Sequence, residues 1–61
     1  MNAKTFHERA AALYTEEAEE WELKARRVSH YVLRSNYEAY AKDARKLAEL
    51  AREYATRETQ K

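Results

Sequence analysis

The 61-residue chain contains no cysteine, no glycine and no proline. Without cysteine there is no disulfide to brace a domain too small to bury much apolar surface alone. Without glycine or proline the tight hairpins of a β-sheet have no turn residues, and nothing interrupts a helix. Two histidines, His7 and His30, stand far apart, and neither follows an acid by three residues as a di-iron helix motif requires. No metal or cofactor is therefore expected. No apolar run approaches the roughly 20 residues of a membrane span, and the first residues are not followed by the apolar core of a signal peptide. A cytoplasmic protein without a membrane segment is the expectation. The serines and threonines lack a neighbouring base with an orienting third group, and His7-Glu8-Arg9-Ala10-Ala11 lacks the second histidine of a zinc-protease helix. A non-enzymatic protein is expected.

What the chain has is Ala, Leu, Glu, Lys and Arg in abundance, the residues that favour uninterrupted helix. Tyr14, Ala18, Trp21, Ala25, Val28 and Val32 recur at alternating spacings of four and three, one stripe of an amphipathic helix, and Phe6, Ala10 and Leu13 extend its apolar side. A second set, Tyr37, Tyr40, Ala44, Leu47, Ala51 and Tyr54, repeats the pattern, with Ala41, Ala48 and Ala55 seven apart beside it. Between the two, Ser35 followed three residues later by Glu38 has the form of a capping box, and Asn36 tolerates a left-handed backbone.

The pattern predicts one all-α domain over residues 1–61: a helix over about 3–33, a turn over about 34–36 and a helix over about 36–58, packed as an antiparallel hairpin. Asn2 or Thr5 can start the first helix, and whether it ends at residue 27 rather than 33 is left open. Residues 56–61 turn polar and are expected to fray. A reversal at 34–35 would set Val32 against Tyr37, Val28 against Ala41, Ala25 against Ala44, Trp21 against Ala48, Ala18 against Ala51 and Tyr14 against Ala55. Glu17 would then lie near Arg52.

One hairpin leaves several large apolar side chains only partly covered. Burial of a Leu or Phe is worth roughly 1.5–3 kcal/mol, so pairing two hairpins recovers an energy comparable with a small domain's stability. The expected assembly is a homodimer forming a four-helix bundle, with higher oligomers open. Its core or dimer contacts are Phe6, Leu13, Tyr14, Trp21, Val28, Val32, Tyr40, Leu47, Leu50 and Tyr54.

Net charge is only +1, unevenly spread. Residues 1–23 carry six acids against Lys4 and Arg9, a net of −4, and residues 24–46 carry seven bases against Glu38 and Asp43, a net of +5. The acidic run makes Glu16, Glu19 and Glu20 candidates for docking a basic protein partner, weighed against an ordinary solvated helix face. The basic tip makes Arg26, Arg27, Arg34, Lys42 and Arg45 candidates for nucleic-acid contact, with tyrosines interleaved. Against that stand the near-zero total charge and the bases' service to the helix end.

On its Ala and aromatic stripe and its Ser35 to Glu38 junction, the chain resembles the small helical accessory proteins of lambda-like bacteriophage early regions. It is also similar in plan to the short hairpins that dimerise into four-helix bundles and regulate plasmid copy number. The phage resemblance implies a small regulator in the host cytoplasm that binds a host or viral factor.

Overall fold

The two apolar stripes come together as an antiparallel pair of helices, α1 (Ala3–Arg27) and α2 (Tyr31–Thr59), in a computed structural model that describes residues 2–59. The result is a flat, two-helix slab of 47 × 15 × 10 Å. Asn2, not Thr5, caps α1. Its backbone is extended, and its Oδ1 accepts from the Thr5 N–H at 2.8 Å. Lys24, Arg26 and Arg27 fill the last turn, where their charge complements the exposed carbonyls.

The reversal lies six residues earlier than the capping-box pattern places it. Helix α1 stops at Arg27, Val28 is extended at φ −91°, ψ 130°, and α2 begins at Tyr31. Val28, Ser29 and His30 are three successive residues of modest helix propensity. The Arg34 side chain then folds back over the gap: its Nη2 donates to the Val28 carbonyl at 2.9 Å and its Nε at 3.3 Å, satisfying an acceptor that the end of α1 leaves open. The Arg34 backbone N–H donates to the His30 carbonyl at 3.0 Å, closing the first turn of α2. Ser35, Asn36 and Glu38 are exposed helical residues rather than a junction, and among the described residues no non-glycine backbone has positive φ. Nor does α2 fray at residue 56; it continues to Thr59, and only residues 60 and 61 of the expected frayed tail lie outside the described residues.

Moving the turn changes the register. Val32 belongs to α2 and is exposed, so the expected pair with Tyr37 does not form. Trp21 lies on Tyr37 and Tyr40, with ring centroids 5.4 and 4.9 Å away, instead of across Ala48. Arg52 donates to the Thr15 hydroxyl at 3.0 Å, two residues short of Glu17.

The seam between the helices is made of methyl groups. Ala11, Ala18 and Ala25 on α1 and Ala41, Ala44, Ala48, Ala51 and Ala55 on α2 are buried, and among the described residues no larger side chain is. Alanine at every contact level lets the helix axes approach to the short end of the usual 8–10 Å. Each buried methyl contributes about 0.8 kcal/mol, a thin return for ordering two helices of this length.

Candidate functional site

Because the alanine seam occupies the middle of each helix's inner surface, the residues flanking it divide between the two broad faces of the slab. On α1, Trp21 and Glu22 lie about 100° apart around the axis, on opposite sides of the line through Ala18 and Ala25. The same division holds on α2, where Tyr40 and Leu47 fall to one side of Ala41 and Ala48 and Arg45 and Arg52 to the other.

One face is polar and internally bonded. Arg45 meets Glu22 in a two-pronged pair, Nε to Oε2 and Nη2 to Oε1, both at 2.7 Å. Farther along, the Thr15 hydroxyl accepts from Arg52 Nη2 at 3.0 Å and donates to the Ala11 carbonyl at 2.8 Å. The hydrogen bond from Arg45 holds the Glu22 carboxyl below its ordinary 4.5, partial burial opposes this, and the charges of Arg45 and Arg26 add to it. A carboxyl whose folded value is depressed adds stability above its unfolded value and loses it as pH falls through the folded one. Glu22→Gln is therefore expected to melt slightly below the wild type at neutral pH, with the gap closing as pH falls from about 5 to 3. Thermal melts of the two proteins across that range check this; a gap that stays constant with pH removes the carboxylate pair as its source.

The other face is apolar. Leu33, Tyr40, Leu47 and Tyr54 follow one another at intervals of seven along α2, and His7, Tyr14 and Trp21 do the same on α1. The rings touch across the slab at both ends: Trp21 stacks on Tyr37 at 29° and meets Tyr40 edge-on at 60°, and His7 lies 5.4 Å from Tyr54. Phe6 and Leu13 continue this face around the edge of α1, and Leu50 around the edge of α2. Two cations lie on its rings, Lys24 Nζ 4.6 Å from the Trp21 centroid and Arg57 5.3 Å from that of Tyr54. Between them Glu17 and Asp43 border a shallow depression floored by Trp21, Tyr40, Ala44 and Leu47.

Of the residues expected to form the core or dimer contact, Tyr14, Trp21 and Val28 are half-buried. Phe6, Leu13, Tyr40, Leu47, Leu50 and Tyr54 are 42–64% exposed. Val32, 18 residues or five helical turns before Leu50, shares its edge of α2. The acidic candidates Glu16, Glu19 and Glu20 gather around an open depression with Leu23 and Arg26. Three of the basic candidates gather on the polar face: Arg26 and Arg34 line one depression with Glu22 and Glu38, and Arg45 is bonded to that Glu22. Arg34 is committed to the Val28 carbonyl and Arg45 to Glu22, whereas Arg27 and Lys42 are exposed along the outer surfaces. The sequence reading missed the division into a polar and an apolar face. Its signal was the seven-residue spacing of Leu33, Tyr40, Leu47 and Tyr54, which runs beside the alanines rather than among them.

Among the described residues no group of His, Asp or Glu side chains is placed to hold a metal ion, and no helix is long and apolar enough to cross a membrane. No family model matches the chain, and neither a curated protein nor a solved structure matches it.

Proposed function

We propose that this chain is a non-enzymatic interaction protein that self-associates, two hairpins pairing into a four-helix bundle, and that its charged outer surface binds a protein partner as a small regulator. The observation that carries this reading is the mismatch between core and surface: alanines fill the seam, while Phe6, Leu13, Tyr40, Leu47, Leu50 and Tyr54 stay 42–64% exposed on or beside one face. Monomers rarely leave so continuous an apolar surface open without a partner to cover it. Once that face is covered, the surface left for a further partner is the charged one, with Glu16, Glu19 and Glu20 grouped on it. Occlusion or recruitment of a host or viral factor in the cytoplasm is the mode of action that the resemblance to phage accessory proteins favours.

The nucleic-acid reading ranks second. Two of its five arginine and lysine candidates, Arg34 and Arg45, already serve as donors within the hairpin. A salt titration separates the readings, because phosphate binding weakens by orders of magnitude between about 50 and 200 mM salt.

Sedimentation of the free protein tests the self-association. A dimer or larger species at micromolar concentration, with melting temperature rising with concentration, is the expected result. A well-folded monomer at every concentration overturns it.

A further inference from the structure

We infer that the face carrying Trp21, Tyr40, Leu47 and Tyr54 receives a second copy of this chain, and that the two hairpins lie antiparallel, each turn over the open end of the other. This rests on the self-association proposed above and assigns its surface and its orientation.

The exposed area fits a second hairpin. A fully buried aromatic covers about 150–250 Å², so the half-open rings and leucines on and beside this face leave on the order of 600 Å² per chain. A standard interface takes about 800 Å² from each partner, and the smaller side chains of the same face supply the difference. The opposite face offers no such surface, because its centre is spanned by the Glu22–Arg45 and Thr15–Arg52 contacts.

Charge selects the orientation. Two slabs joined face to face by a two-fold axis have two arrangements. With the axis along the slab, α1 of one chain lies over α2 of the other at the same level. Glu17 and Asp43 border one depression and so share a level. That arrangement lays Glu17 over Asp43 of the second copy, acid on acid, twice by symmetry. It also brings together two turn ends that each carry Lys24, Arg26, Arg27 and Arg34. Both juxtapositions cost energy at short range. With the axis across the slab, the basic turns move to opposite ends of the bundle, and the Trp21–Tyr37–Tyr40 cluster of each chain covers the Leu47 to Tyr54 half of the other. The second arrangement parts the basic turns; Glu17 and Asp43, near the middle of α1 and α2, each still fall near their own copy, so the turns alone select it.

Two measurements test this. For the face, dissociation constants from sedimentation are compared for the wild type, Leu47→Lys, Leu47→Ala and Glu49→Lys, the last being an exposed position on the polar face. Leu47→Lys is expected to weaken the dimer about a hundredfold or more, since the change enters twice by symmetry, and Glu49→Lys to leave it within about threefold. Should Leu47→Lys lose its helicity altogether, Leu47→Ala carries the test, with an expected weakening of about tenfold and wild-type helicity at high concentration. For the orientation, the chain's lack of cysteine makes Ser29→Cys, at the exposed turn, a unique spin-label site. The antiparallel dimer predicts a label separation on the order of 40 Å, and the parallel one a separation within about 20 Å.

A wild-type protein that is monomeric and folded throughout defeats the self-association itself and leaves the apolar face to a different protein. A wild-type dimer that Leu47 substitutions do not weaken, or that Glu49→Lys breaks, defeats the face. Short label distances in an otherwise Leu47-dependent dimer defeat the orientation.

Discussion

Replacing Ala18 with aspartate is expected to cost about 3–5 kcal/mol, enough to leave the chain largely unfolded at neutral pH. Ala18 has no solvent exposure at all, and Ala48 on the other helix has 2%. A carboxylate there would lie in a seam whose buried side chains are all alanines. Ala12→Asp provides the matched control, because Ala12 is helical too but exposed. Both substitutions carry the same helix-propensity penalty, so the difference between them isolates burial in the seam. Urea denaturation followed by circular dichroism measures it. Equal midpoints for the two variants would mean that the helices are not packed through their alanines, and the hairpin described above would have to be given up.

The same seam explains which parts of the fold were legible beforehand. Helical class and the alanines of the inward stripes followed from spacing: Ala18 and Ala25 on α1 and Ala41, Ala44, Ala48, Ala51 and Ala55 on α2 are all buried. Val32, Tyr40, Leu47 and Tyr54 of the same stripes are exposed, and the buried Ala11 was not among them. The turn did not follow. Ser35 with Glu38 has the sequence form of a helix start, and such a cap is worth about 1 kcal/mol. Starting α2 at Tyr31 forgoes that cap but places Trp21 on Tyr37 and Tyr40 and brings Arg45 to Glu22. Several contacts between the helices together outweigh one local signal, and none of them can be recognised before the register is known. The capping role of Arg34 was hidden for the same reason. Its bond runs six residues back, to a carbonyl that is open only because the helix has already ended at Arg27.

The candidate surface was legible as a list of residues more than as a shape. Large apolar side chains in excess of what one hairpin can cover are countable in the sequence, and they imply a partner. That they share one face depends on the register again. In the expected register Trp21 crossed Ala48 and was consumed in the core; in the observed one it joins Tyr37 and Tyr40 at the apolar surface.

Trp21 is therefore where stability and assembly meet, and its removal carries the second large expected effect. Trp21→Ala should destabilise the protein by about 3 kcal/mol, toward the low end for tryptophan because the ring is half-buried in a single hairpin. Three contacts go at once: the stack on Tyr37, the edge-on meeting with Tyr40 and the seat of the Lys24 ammonium 4.6 Å from the ring centre. Trp21→Phe, which keeps an aromatic surface for both tyrosines, should recover more than half of the loss. Denaturation at two protein concentrations separates the consequences. Loss of packing within the hairpin lowers the midpoint equally at both, whereas loss of contact with the second copy also shifts the concentration dependence to higher protein. A Trp21→Ala midpoint within about 1 kcal/mol of the wild type would show that the aromatic cluster does not hold the turn half of the hairpin together. The alanine seam would then have to stabilise both helices with methyl groups alone, which the small return on each methyl argues against.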